Sequence, residues 1–415
     1  MTADNNIGTL GHLKVLDLTD EKGQSCGKFL ADLGAIVIKV EPPEGDKTRH
    51  HGPYFHDKED IENSLHWFSY NTNKKSITLD ITESKGKQIL KKLVGRVDFI
   101  VESYPPQYLD GLGVGYKQLK SINPRIIMTS ITAFGQSGPY SHYVANDLVA
   151  WAMSGFMYTC GEVDRPPVRC SIEQAYVATG VQAATASLLA LHYRNLTGKG
   201  QQVDIAMREC LPSGGFEIFF WETEGYIGER LGVKRRRGNI YVRDLWPCKD
   251  GYIGWRLMTG PLGATTAYLL VAWMDREGMA GELKDIKWET IDMNQLNKEQ
   301  MERWESIIIS FLKTHTKQEI YKEAFEKGMQ MSPAHNTGEL LRYQQLVERN
   351  FWVNVEYPYL DSHITHPGVF CVMSESPLVT PQRAPRLGEH NQEIYIGELG
   401  YTDRDLIQLK TQGTI

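Results

Sequence analysis

Residues 14 to 43 read KVLDLTDEKGQSCGKFLADLGAIVIKVEPP. Lys14 to Thr19 (KVLDLT) has the composition of a strand, and Gly23 to Leu33 carries its apolar residues at helical spacing. Ile36 to Val40 (IVIKV) is a second strand, which Pro42 and Pro43 end. Strand, helix and strand in about 30 residues make a βαβ unit, so the two strands lie parallel in one sheet.

The pattern continues outward. Ser76 to Ile81 (SITLDI) reads as a strand and Ser84 to Val94 as a helix, with further strands at Asp98 to Glu102 (DFIVE) and Arg125 to Thr132 (RIIMTSIT). The fold class is therefore α/β, with a Rossmann-like, doubly wound parallel sheet. Such sheets bind ligands outside the carboxyl ends of their strands, which directs attention to Glu41 to Arg49 and Ser103 to Leu109. An alanine-rich helix over about Ala175 to Arg194 stops at Thr197 and Gly198, and Gln201 to Met207 (QQVDIAM) is a short strand or helix entry. Asp250 to Trp255 opens a smaller domain with helices near Thr265 to Met279, Lys298 to His315 and Lys317 to Gly328. A last helical pattern covers Asp403 to Leu409.

At 415 residues the chain has room for two or three domains. With 41% hydrophobic and 23% charged residues it is globular in composition, and a formal charge of −6 without a basic stripe excludes a nucleic-acid partner. The single basic run, Lys234 to Arg237, reads as a solvated loop or as a clamp for a phosphate-bearing ligand. Six cysteines without CxxC spacing give neither a zinc ribbon nor a disulfide framework, and a reducing cytoplasm is expected. The polar stretch Met1 to Gly11 has no signal core. The charge-free run Ala175 to Leu191 is at the short limit for a membrane span and is broken by Thr179, Gln182 and Thr185, so it reads as a buried helix.

Several motifs fail on context. Gly111 to Gly115 (GLGVG) follows no clear strand and is a turn, not a dinucleotide loop. Gly135, Gln136, Ser137 and Gly138 fall one residue short of a hydrolase elbow, with Pro139 where a helix should begin. His363 and His366 have no carboxylate or cysteine beside them to complete a metal site. His50, His51 and His56, beside Asp57, Glu59 and Asp60, form a charge-rich loop. No metal and no prosthetic group are expected.

The informative signal is distributed. GAIVIKVE (Gly34 to Glu41) with Pro42, Pro43, Gly45, Asp46 and Arg49 is followed by NKKSITLD (Asn73 to Asp80) and NPR (Asn123 to Arg125). TGKGQ (Thr197 to Gln201), DGYI (Asp250 to Ile253) and PRLGEH (Pro385 to His390) complete the order. In this order and spacing they resemble the class III CoA-transferases, the formyl-CoA and carnitine CoA-transferase family, over about Leu13 to Leu409. The resemblance implies a large domain built from both chain ends (1–222 and, after a return linker, 336–415), a smaller α/β domain with linkers at 223–335, and two chains interlocked as rings.

It also implies a substrate, a CoA thioester, and a chemistry. An aspartate attacks the thioester to give a mixed anhydride, the CoA thiolate returns to form an enzyme thioester, and the acceptor acid attacks that. Counting from Gly180, Arg194 and Gln201 places the family's aspartate at Tyr176, with Ala175 and Gln174 within a slip of one or two residues. None of these can form an anhydride. Glu173 is the nearest acid, either a fallback nucleophile or a helix-start carboxylate, displaced by about 4 to 5 Å from the expected position.

The CoA contacts implied by the resemblance fall at Arg49, Leu79, Ser103 and Tyr104, with Gln174 and Tyr176 facing the acid substrate. Two basic positions of the family are here Pro42 and Gly111, which thins the grip on phosphate. Nucleophile and phosphate grip are lost together, as in a subunit relieved of catalysis whose paralogous partner keeps the aspartate. EKGQSCGKFLADLGA (Glu21 to Ala35) and QAYVATG (Gln174 to Gly180) look most like the aspartate-lacking subunits of the heteromeric benzylsuccinate CoA-transferases of anaerobic toluene breakdown. A proton-transferring relative would need a histidine near the helix start, and Cys160 to Ala190 holds none. A non-catalytic CoA-binding scaffold is the alternative from outside enzymology.

Overall fold

The computed structural model describes residues 8–211, 222–223, 225, 228–237, 239–261 and 263–415. Two compact units form. The first takes Met1–Phe156, Arg169–Ile218 and Gln344–Ile415, and the second Met157–Val168 and Phe219–Tyr343.

The first unit is built on six parallel strands: β1 (Lys14–Leu18), β2 (Ile36–Glu41), β3 (Lys74–Thr78), β4 (Phe99–Glu102), β5 (Ile127–Thr132) and β6 (Gln202–Ala206). Their order across the sheet is β3-β2-β1-β4-β5-β6. The chain winds outward from β1 to β3, then returns to lay β4 on the other side of β1, in register Val15 to Phe99 and Leu18 to Glu102. A sheet covered on both faces needs near-continuous apolar strands, and β4 and β5 are buried at every position.

Strand β3 departs furthest from its expected bounds. β3 starts at Lys74, two residues earlier than the apolar run suggests, and ends before Leu79 and Ile81. Lys74 enters the sheet because its ammonium is satisfied inside it, by Asp17 at 2.8 Å, the carbonyl of Gln24 at 2.8 Å and Asn71 at 2.9 Å. At the other end the backbone turns to the chain terminus, with Asp80 N donating to the carbonyl of Thr414 at 2.8 Å. Lys39 is likewise buried and paired, 3.0 Å from Asp46. Burial of such charges is tolerated only with partners this close.

The helices on the sheet are α1 (Gln24–Asp32), α2 (Leu65–Tyr70), α3 (Ser84–Val94), α4 (Tyr108–Gly111), α5 (Tyr116–Ile122), α6 (Asp147–Met153) and α7 (Gln174–Thr197). The alanine-rich α7 buries Ala183, Ala184, Ser187 and Ala190 and ends at Gly198 in a left-handed conformation. Among the described residues no helix is long and apolar enough to cross a membrane. α1 and α7 cross closely at Gly180, where an added Cβ would lie 1.9 Å from Ser25 Oγ and 2.9 Å from Cys26 N. Gly180→Ala is therefore expected to push the helices apart and cost about 1–3 kcal/mol, read as a lower urea midpoint at unchanged slope.

After Pro385 the chain clasps the β3 edge. Gly388 N donates to Ser76 Oγ at 3.0 Å, and the Asn391 amide bridges Thr78 at 2.8 and 3.0 Å. Gln392–Glu398 is helical with a π-type turn, an element the sequence reading did not anticipate, and Asp403–Thr411 follows as an α-helix.

The second unit pairs its strands antiparallel. Gly251–Gly254 lies between Leu245–Cys248 and Ser332–Pro333. Helices Thr265–Arg276, Lys298–Leu312 and Lys317–Lys327 enclose a core that includes Trp246, Trp288, Trp304 and Phe311. Lys234–Arg237 is not a loop. It is a strand paired with Ile240–Arg243, and Lys234 and Arg235 are held by Glu305 at 2.9 Å and Asp244 at 2.7 Å. The aromatic run Phe216 to Trp221, which reads in sequence either as an apolar pocket wall or as domain-linker packing, lies outside the described residues.

Candidate functional site

The sheet order reverses between β1 and β4, and a cavity of about 370 Å³ opens there at the carboxyl ends of β1, β2 and β4. Thr19 and Asp20 line it from β1, Pro42 and Lys47 from the segment after β2, and Ser103 and Tyr104 from the segment after β4. The two sides are bonded to each other, since Asp20 N donates to Ser103 Oγ and Ser103 Oγ donates to Asp20 Oδ1, both at 2.8 Å. Tyr104 stacks on Tyr108 with ring centroids 4.9 Å apart, which fixes an aromatic face at the mouth. Lys47 spans from Asp20 to Glu21, at 3.0 Å from each.

Behind the mouth lies Glu102, buried at the end of β4. Its Oε2 accepts the Tyr104 N–H at 2.8 Å. Burial pushes its carboxyl up to about 7, against the opposing hydrogen bonds from Ser130 and Tyr104. A carboxyl raised from its ordinary 4.5 favours the folded state while protonated, so its contribution is full below that value and is lost as pH rises through about 7. Glu102→Gln is expected to gain stability over the wild type across that window, by on the order of 2–3 kcal/mol, and to run parallel above it in urea titrations.

A second cluster gathers at the start of α7. Glu173 precedes the helix as its N-cap, without a capping bond from its side chain. The cap comes instead from Asp147, the first residue of α6, whose Oδ1 accepts the N–H groups of Ala175 at 2.7 Å and Tyr176 at 3.4 Å. Tyr176 is buried on α7, its carbonyl accepting from Ser25 Oγ at 3.1 Å. Burial raises the carboxyls of both Asp147 and Glu173, and Asp147 and Glu21 raise Glu173 further.

His66 stands nearby on α2, 2.7 Å from the Gln24 amide and with its ring 5.1 Å from that of His51. Burial and the charge of His51 hold His66 down at about 4, so it is neutral near pH 7. His51 acts on Glu173 in the sense opposite to burial and Asp147, favouring its ionised form. Among the described residues no group of three or more histidines, cysteines or acids is placed to hold a metal.

Of the residues named from sequence, Ser103 and Tyr104 line the cavity. Leu79 lies in the apolar core with Ile77 and Ile81. Arg49 is fully buried, donating to both oxygens of Glu41 at 2.6 and 2.9 Å, to Glu62 at 3.1 Å and to the Pro385 carbonyl at 3.2 Å, its guanidinium 3.8 Å over the Trp67 ring. Gln174 and Tyr176 start α7 as counted, half-buried and buried. Sequence reasoning pointed to the segment that holds Lys47 and read His51 as part of a charge-rich loop, and it missed Asp20, Asp147 and His66. Only Asp147 carried a local signal, the helix-start pair Asn146-Asp147, and nothing in it pointed to α7.

The profile of CoA-transferase family III matches residues 10–391. The chain is 34% identical to the succinyl-CoA:(R)-benzylsuccinate CoA-transferase subunit BbsE of Thauera aromatica, over 97% of either chain. It is 33% identical to the formyl-CoA:oxalate CoA-transferase of Streptomyces coelicolor, over 97% of this chain and 98% of that one. Among solved structures, a CAIB/BAIF family protein from Brucella suis superposes with a TM-score of 0.81 at 26% identity, covering 94% of this chain and 99% of that one.

Proposed function

The chain belongs to CoA-transferase family III, and from that premise we propose that it is the non-nucleophilic subunit of a heteromeric CoA-transferase. The pair moves CoA from succinyl-CoA to benzylsuccinate, and a paralogous subunit supplies the catalytic aspartate. The observation that carries this reading is Tyr176, a buried phenol at the start of α7 where the relay carboxylate is counted to stand. The likeness to BbsE, itself a subunit, supports both the division of labour and the acid.

The reaction is two exchanges on one aspartate of the partner. Its carboxylate oxygen attacks the succinyl thioester carbon, the C–S bond breaks, and CoA leaves as thiolate. The thiolate attacks the aspartyl carbon of the anhydride, releasing succinate. A benzylsuccinate carboxylate then displaces CoA from the aspartyl thioester, and thiolate attack on the acyl carbon of the new anhydride yields benzylsuccinyl-CoA and regenerates the aspartate. This chain contributes architecture, interlocked with its partner in a cytoplasmic complex, and a crevice between Pro42 and Tyr104 that can seat the nucleotide end of a CoA thioester.

Glu173 is a poor substitute for the missing nucleophile. It lies outside the helix rather than on the face of Tyr176, and Asp147 is held by two backbone N–H groups. The test is purification of the chain alone and with its aspartate-bearing paralogue. Transfer is expected only from the pair, and robust transfer by the chain alone would sink the proposal.

A further inference from the structure

The crevice holds its cations captive. Lys47, which lines it from the segment after β2, and Lys22, which follows Asp20 beyond β1, are both bound to one carboxylate. Asp20 Oδ2 pairs with Lys22 and, at 3.0 Å, with Lys47. The other oxygen is fixed as well, accepting from Ser103 Oγ at 2.8 Å and from Lys22 N at 3.1 Å, so Asp20 cannot swing away without breaking a side-chain bond between the segments that follow β1 and β4. Burial notwithstanding, these cations and hydrogen bonds keep Asp20 ionised, with its carboxyl held down at about 2. Glu21 adds a second anchor on Lys47 at 3.0 Å, and Glu44 lines the same cavity.

A polyphosphate entering between Pro42 and Tyr104 thus meets a fixed carboxylate that both lysines already pair with, and a second one, Glu21, on Lys47. To use Lys47, whose side chain is 57% exposed, the ligand must draw it from Asp20 and Glu21. Lys22 is shorter of options, its side chain only 19% exposed. No backbone feature demands an acid at this place, because an amide of the same shape keeps an acceptor for Ser103 and Lys22 N.

Resting on the reading that the crevice seats a CoA thioester, we propose that Asp20 is a built-in counter-ion that sets the affinity of this subunit for the phosphates of CoA and keeps it low. It is a specificity-determining residue. It discriminates by ligand charge and leaves the pantetheine arm unaffected. One charge removed at about 5 Å from a phosphate, at the effective dielectric of a protein surface and screened by salt, changes affinity by roughly tenfold or more.

The experiment is calorimetric titration of the full chain, wild type and Asp20→Asn, with CoA, adenosine 3′,5′-bisphosphate and pantetheine at two salt concentrations. Asp20→Asn is expected to bind CoA and the bisphosphate about tenfold more tightly, with a steeper loss of affinity in high salt, and to bind pantetheine as the wild type does. Adding Lys47→Met to Asp20→Asn should erase the gain. Equal or weaker CoA binding by a folded Asp20→Asn chain, absence of CoA binding in both chains, or an equal gain for pantetheine would each overturn the proposal. Transfer by the wild-type pair is measured separately. A pair that transfers CoA while Asp20→Asn gains nothing refutes only the counter-ion, and an inactive pair with the tenfold gain refutes only the assigned reaction.

Discussion

On the proposed pairing, Glu173→Gln is expected to leave CoA transfer by the two subunits within about threefold of the wild type, whereas alanine in place of the paralogue's aspartate is expected to lower it by about 10³-fold or more. The asymmetry follows from where the carboxylates stand. A covalent relay tolerates little displacement, and Glu173 is an exposed N-cap residue set before the first turn of α7. Its neighbours Asp147 and Glu21 add negative charge, which also disfavours the approach of a dianionic acid. The two chains are assayed as a purified complex, and the adduct is located by hydroxylamine cleavage and peptide mass. A loss in Glu173→Gln comparable with that of the partner's variant, or an adduct on the Glu173 peptide, would transfer the chemistry to this chain.

Arg49→Met is expected to destabilise the first unit by about 3–5 kcal/mol, because it strands Glu41 as a buried charge without its counter-ion. Glu41 would keep only Asp46 N at 3.1 Å and the hydroxyl of Ser76 at 2.5 Å. The Pro385 carbonyl would lose the arginine that ties the returning chain to α2 and β2, retaining Trp67 Nε1 at 3.0 Å. Removing both charges together, as in Arg49→Met with Glu41→Leu, should recover most of the loss, since the penalty lies in the orphaned carboxylate. Urea unfolding followed by tryptophan fluorescence reads both. A double variant no more stable than the single one would assign the effect to packing against Trp67.

Arg49 also shows how site and scaffold are told apart. In sequence it stands in the segment after β2 where ligands gather, and its chemistry suits phosphate. In the structure its guanidinium turns inward to Glu41, with no surface exposed. Lys47, two residues earlier, faces the cavity. In a short 3₁₀ turn, Lys47–His50, neighbouring residues point to different sides, and which side is inside depends on Glu41, Glu62 and Pro385, none of them local. The same holds for Asp147, 28 residues from the backbone it caps, and for His51 and His66, which approach α7 from another part of the chain.

Sequence alone determined the βαβ order, the parallel sheet, the crevice segments Glu41 to Arg49 and Ser103 to Leu109, and the start of α7 at Gln174 against an expected Ala175. Those features follow from local periodicity and from turn residues, which each segment carries within itself. Counting along α7 is also what puts the expected relay aspartate at Tyr176. Only the tertiary structure decided that Lys74 and Lys39 belong inside the sheet, that Asp20 holds the lysines of the crevice, and that Asp147 caps α7. Each is a charge whose place depends on a partner far along the chain, and a buried charge is stable only where folding brings that partner within hydrogen-bonding distance.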